Sequence, residues 1–100
     1  MQREEREIIV DLLQYLTDDI IAGDMLPHLN CLTQDDKEYV LCEEKNYGYR
    51  KAAVVLIDRI QRRQYGFQQL ISALIQTGCK HLVKLILMRQ NGLLQSLEGY

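Results

Sequence analysis

Apolar residues recur at every fourth position near the start of the chain, at Ile8, Leu12, Leu16 and Ile20, with Ile9 and Leu13 beside them. Such spacing places one apolar stripe on a helix, and it predicts a long first helix over residues 3–21 with acidic residues enriched at its start. Ala22-Gly23-Asp24 breaks that pattern. Asp24 is expected to cap a short second helix whose first turn holds Pro27, where a missing N–H costs nothing. Leu26 and Leu29 form its inward side. Thr33-Gln-Asp-Asp36 is a capping box with Asp in place of the usual Glu, and it predicts a third helix reaching about residue 44. Asn46-Tyr-Gly48 then reads as a turn.

A fourth helix is expected over residues 49–63, with Ala53, Leu56, Ile57 and Ile60 inward. The most regular stripe follows: Phe67, Leu70, Ile71, Leu74 and Ile75 fall at i, i+3, i+4, i+7 and i+8 of a fifth helix. Ile71 and Leu74 are expected to be fully buried. Gly78 stands where a helix is stopped by glycine. A sixth helix over residues 80–90 turns Leu82, Val83 and Ile86 inward, and Asn91-Gly92 ends it. Residues 93–100 read as a leucine-bearing tail beyond a domain over residues 1–92. Sustained period-two alternation is missing, and the short connections predict an all-α, six-helix antiparallel bundle.

Composition fits this picture: 47% of the 100 residues are hydrophobic and 26% charged, with one proline. One core can stabilise a chain of this length. The net charge of -2 supplies no global basic field for nucleic acid or an anionic membrane. Cys31, Cys42 and Cys79 are odd in number and lack CxxC spacing, which predicts reduced, buried thiols and a cytoplasmic setting. The polar start (Gln2-Arg-Glu-Glu-Arg-Glu7) is unlike a secretion signal. No apolar run approaches the roughly 20 residues of a membrane span.

Few residues offer chemistry. His28 with Cys31, and Cys79 with His81, are the only pairs at metal-ligand spacing, and neither makes the two tight pairs structural zinc requires. Phosphate-loop, nucleophile-elbow and HExxH motifs are missing, so catalytic residues, metal, cofactor and small-molecule substrate are all expected to be none. Lys51, Arg59, Arg62 and Arg63 on the fourth helix leave open a helix-turn-helix nucleic-acid binder. The acidic runs Asp35-Asp36 and Glu43-Glu44 weigh against it.

Three stretches carry a resemblance. Asp24-Met-Leu-Pro-His-Leu-Asn-Cys-Leu-Thr-Gln-Asp-Asp36 contains a Leu-Pro-x-Leu-x-Cys-Leu-Thr core. Tyr39-Val-Leu-Cys-Glu-Glu-Lys-Asn-Tyr-Gly48 precedes Ala52-Ala53. Ile60-Gln-Arg-Arg63 leads to Gly66-Phe67, Ala73-Leu74 and Thr77-Gly78. Together they resemble the caspase recruitment domain of the death-fold superfamily, nearest its antiviral branch of RNA sensors and their mitochondrial adaptor. Phe67 departs from that branch, which often has tryptophan there.

The resemblance implies homotypic docking with other caspase recruitment domains and with itself, in innate immune or apoptotic signalling. It implies a basic patch drawn from Arg3, Arg6, Arg50, Lys51, Arg59 and Arg62. The acidic patch facing it on the next copy would come from Asp24, Asp35, Asp36, Glu38, Glu43 and Glu44. The residues agree independently, since the third helix is acidic on its polar face and the fourth basic. Unlike patches on one molecule make a heterologous contact, which extends into open helical filaments. A standalone inhibitor of such assemblies is the alternative within the class.

Overall fold

The structure is a computed structural model and describes residues 1–92. The first apolar stripe folds as two helices, α1 (Arg3–Asp11) and α2 (Leu13–Asp19), rather than one. Four residues turn a helix about 40° beyond a full turn, so an i+4 stripe winds away from any flat core. The break at Leu12 resets the phase, and Ile8, Leu12, Leu16 and Ile20 all stay buried. Ile20 and Ile21 are extended, which ends α2 before residue 21.

The second expected helix is a single turn, α3 (Ala22–Met25), running into a 3-10 turn at Leu26–His28 that contains Pro27. Asp24 lies inside the first turn of α3 and does not cap it; Ile21 occupies that position. Leu26 and Leu29 are buried as expected.

Thr33 opens α4 (Gln34–Tyr47) with the expected box: its hydroxyl accepts the Asp36 N–H, and the Asp36 carboxylate accepts the Thr33 N–H, both at 3.1 Å. The helix runs three residues past Glu44, because nothing before Gly48 stops it. Gly48, at φ 91° and ψ 179°, is the single link to α5 (Tyr49–Gln61). That conformation is open essentially to glycine alone. The two longest helices thus form a tight antiparallel hairpin, with Val40 meeting Ala53, Leu56, Ile57 and Ile60 in one core.

In α6 (Gly66–Gln76), Phe67, Leu70, Ala73 and Leu74 are buried, while Ile71 is half-buried and Ile75 exposed. The inward direction is centred on Leu70, Ala73 and Leu74, which puts Ile71 and Ile75 at the edge of the stripe. The expectation of full burial therefore holds for Leu74 and is corrected for Ile71. After α6, the Cys79 N–H bonds the Leu74 carbonyl at 2.8 Å and the Gly78 N–H bonds that of Ile75 at 3.2 Å. This is a Schellman stop with Gly78 at φ 83°. α7 (Lys80–Gln90) buries Leu82 and Ile86 and leaves Val83 half-buried. The tail expected at residues 93–100 lies outside the described residues.

The halves α1 and α2 count as one bent helix, and α3 with its 3-10 extension as another. The described chain is then an all-helical six-helix bundle, as the resemblance implies, without strands among the described residues. Leu74 touches the centre of this core, so Leu74→Ala should cost about 3 kcal/mol of unfolding free energy through lost burial and the cavity left behind. Urea denaturation of both proteins measures it. A loss under about 1 kcal/mol would place α6 outside the core.

Candidate interaction surfaces

Ala52, Ala53, Leu56, Ile57 and Ile60 hold the inner side of α5, so its 3.6-residue period turns Arg50, Lys51, Val54, Asp58 and Arg62 outward. Two contacts set the register of the first helices against it. The Met1 amino group donates to the Arg63 carbonyl, and Arg50 pairs with Asp18. The start of α1 thus meets the end of α5, and α2 meets its beginning. Arg3 and Arg6 come to the same end as Arg62, while Arg50 and Lys51 lie at the other.

Several of these cations have a local acid. Arg3 pairs with Glu7 at 3.4 Å and Arg62 with Asp58 at 3.0 Å, all four exposed. Pairs in such surroundings are worth under about 1 kcal/mol and yield readily to a better partner. Arg6 and Lys51 are exposed and make no ion pair among the described residues.

The acidic candidates lie on α3 and α4. Asp24, Asp35 and Glu38 are exposed, and Glu43 and Glu44 half-buried. Glu44 is already engaged within the fold, where its Oε2 accepts the Gly23 N–H at 3.0 Å and satisfies a donor at the start of α3. A carboxylate from a distant helix supplies what Asp24 was expected to provide.

The sequence-based patches fail as surface assignments at two positions. Asp36 is only 3% exposed, and its carboxylate binds Arg59 Nη1 at 3.3 Å and Arg63 Nη2 across the α4–α5 hairpin. Arg59 also lies over the Tyr39 ring, 4.9 Å from its centroid. An acid and a base assigned to opposite patches are therefore bonded to each other inside one molecule. With both guanidiniums held by Asp36, Arg59 and Arg63 are also turned from the groove-reading role of a helix-turn-helix.

Burial by itself opposes ionisation of Asp36. The Thr33 N–H, the Arg63 guanidinium and the Thr33 hydroxyl outweigh it and hold the carboxyl below its ordinary value. A carboxyl depressed in the folded state contributes stability that is complete above its unfolded value, about 3.9, and is lost as pH falls through the folded one. Denaturation between pH 2 and 6 should show wild type losing stability on acidification, with a shallower slope in Asp36→Asn. Parallel slopes would mean that the clamp contributes nothing.

The thiols are all free. Cys31 and Cys79 are half-buried, but Cys42 is exposed on the outer side of α4, correcting the expectation that all three are buried. Burial raises the Cys31 thiol above its usual value, which suppresses the thiolate. His28 is half-buried, and His81 lies 2.8 Å from Asp19. Among the described residues no three metal-ligating side chains gather, and no helix is long and apolar enough to cross a membrane.

The model of the caspase recruitment domain matches residues 1–90, and the chain belongs to that family. Its members are homotypic protein–protein interaction modules of signalling, and this is the class of work the chain inherits. No significant match was found among curated proteins or among solved structures.

Proposed function

We propose that this domain is a cytoplasmic adaptor or sensor module of innate immune or apoptotic signalling, working by self-assembly with like domains. The observation that carries the reading is the opposite charge of the outward sides of α5 and α4. Arg3, Arg6, Arg50, Lys51 and Arg62 lie along the α1–α2 and α5 face, and Asp24, Asp35 and Glu38 on α3 and α4, with Glu43 and Glu44 half-buried beside them. Asp36 and Arg59 drop out of the docking set as internal partners. Complementary surfaces of this kind steer encounter and fix orientation.

Because the two surfaces differ, each docking event leaves one of each kind free, and the product grows as an open helical filament. Growth concentrates whatever is attached to each copy, as tethering does. The three family-like stretches support the antiviral branch in particular.

Light scattering and negative-stain microscopy at rising concentration test the proposal. Helical filaments are expected above a threshold, and the threshold should rise with salt, since partly exposed pairs are screened over about 10 Å at 0.1 M. Discrete monomers at every concentration would overturn it. A monomeric domain that arrests the filaments of another family member would identify the inhibitor instead.

A further inference from the structure

The tip of the α4–α5 hairpin breaks two local rules in one place. Residues 45–51, Lys-Asn-Tyr-Gly-Tyr-Arg-Lys, are all exposed and include no acid. Tyr47 and Tyr49 are 70% and 62% exposed, more than any other large apolar or aromatic side chain among the described residues. Only Gly48 separates the two helices, so both rings stand at one tip, and the core uses neither. The second broken rule is electrostatic. α5 carries Arg50 and Lys51 in its first turn, with no acidic residue there and no side chain capping it. Cations at that end oppose the helix macrodipole, which favours anions. Departures from local preference of this kind gather where a surface has work to do.

The surroundings leave the tip positive. Asp18 offsets Arg50 alone, and Glu44 is taken up by the Gly23 N–H. Glu43 is half-buried, and Lys45 and Lys51 make no ion pair among the described residues. The chain's net charge of -2 is thus spread unevenly, with a local basic site against an acidic remainder.

We infer that this tip binds single-stranded nucleic acid, with bases stacked on Tyr47 and Tyr49 and phosphates against Lys45, Arg50 and Lys51. Every base offers a π-face to an exposed ring, and cations beside the ring take the backbone on either side. A duplex hides those faces within its own stack. An anionic bilayer would satisfy the cations, but the tip lacks aliphatic side chains to insert, and a charged plane would also repel the acidic remainder of the chain. A single strand needs to touch only the tip. This is not the groove reading of a helix-turn-helix, since no base edge is recognised and little sequence preference is expected.

The test titrates a short oligouridylate into dilute, dye-labelled chain at about 50 mM salt and follows binding by microscale thermophoresis. Saturable binding is expected. Tyr47→Ala with Tyr49→Ala should weaken it at least about tenfold, while Tyr47→Phe with Tyr49→Phe, which keeps both faces, should stay near wild type. Lys45→Gln with Lys51→Gln should flatten the dependence of log K on log salt by about 1.4, since each phosphate contact on a single strand contributes about 0.7. Circular dichroism melting is the fold control, and every changed position is exposed.

No saturable binding, or equal binding by wild type and the double alanine variant, would overturn the inference. Inorganic polyphosphate bound as tightly as oligouridylate would also overturn it, because phosphates without bases would then suffice. Phosphatidylserine vesicles that bind wild type but not the alanine variant, where the oligonucleotide binds neither, would assign the tip to a membrane surface instead. Filament formation enters none of these measurements, so the assembly reading stands or falls separately.

Discussion

Gly66→Ala should cost about 4 kcal/mol, at or beyond the upper end of what overpacking usually costs, and should leave the domain largely unfolded near body temperature. Gly66 is buried at the first position of α6, and a β-carbon there would sit 2.1 Å from the Ile60 carbonyl oxygen and 3.0 Å from Ile60 Cγ2. The obstacle is backbone at the end of α5, so no rotamer change relieves it. Either α6 moves off α5, opening the core around Phe67 and Leu70, or the last turn of α5 unwinds. An unwound turn would displace Arg59 and Arg63 from Asp36, two partners of a buried carboxylate. Gly48→Ala makes a useful contrast, because nothing lies within 4 Å of its β-carbon and the cost there is torsional, about 1–3 kcal/mol. Urea denaturation of the two variants separates them. Equal, small losses would show that α5 and α6 do not approach as closely as the structure places them.

What the sequence made legible follows from how far each determinant reaches along the chain. Capping at Thr33 and the stop at Gly78 are settled within a few residues, and both are readable in place. The apolar stripes are readable as helices but less so as orientations. Weighing only bulky residues on α6 passes over Ala73, and so rotates the inferred core face toward Ile71 and Ile75. The break at Leu12 has no glycine or proline to announce it; it follows from keeping four buried residues on one core.

The charged residues are the least legible, because burial and partnership depend on contacts across the fold. Asp36 looks like half of a surface pair with Asp35, yet the capping box that holds it is itself a hint. An aspartate tied to the start of α4 cannot turn outward freely, and the hairpin at Gly48 brings Arg59 and Arg63 back to it over 23 and 27 residues. Glu44 caps α3 from 21 residues away, a contact that no local rule could supply. Composition fixes the sign of each helix face. Which members of it are free to meet another molecule is set by the tertiary structure.

That distinction decides how the docking surfaces should be tested. Reversing Arg59 or Asp36 would break the internal clamp, so lost assembly could reflect lost folding. Lys51→Glu with Arg62→Glu, and Asp35→Lys with Glu38→Lys, touch only exposed positions, and each should cost under about 1 kcal/mol of stability. Each double change should nonetheless abolish filaments, because it sets like charges against each other at an interface, where the penalty is several kcal/mol. Each variant keeps one intact surface. Mixed together, they should dock through the unaltered acidic surface of the first and the unaltered basic surface of the second, and the two reversed surfaces, now opposite in sign to each other, should let growth resume with alternating copies. Filaments in micrographs of the mixture, with neither variant forming them alone, are the expected result. If both variants melt like wild type and still form filaments, the contact lies elsewhere on the bundle, and the opposed charges of α4 and α5 are an ordinary solvated surface.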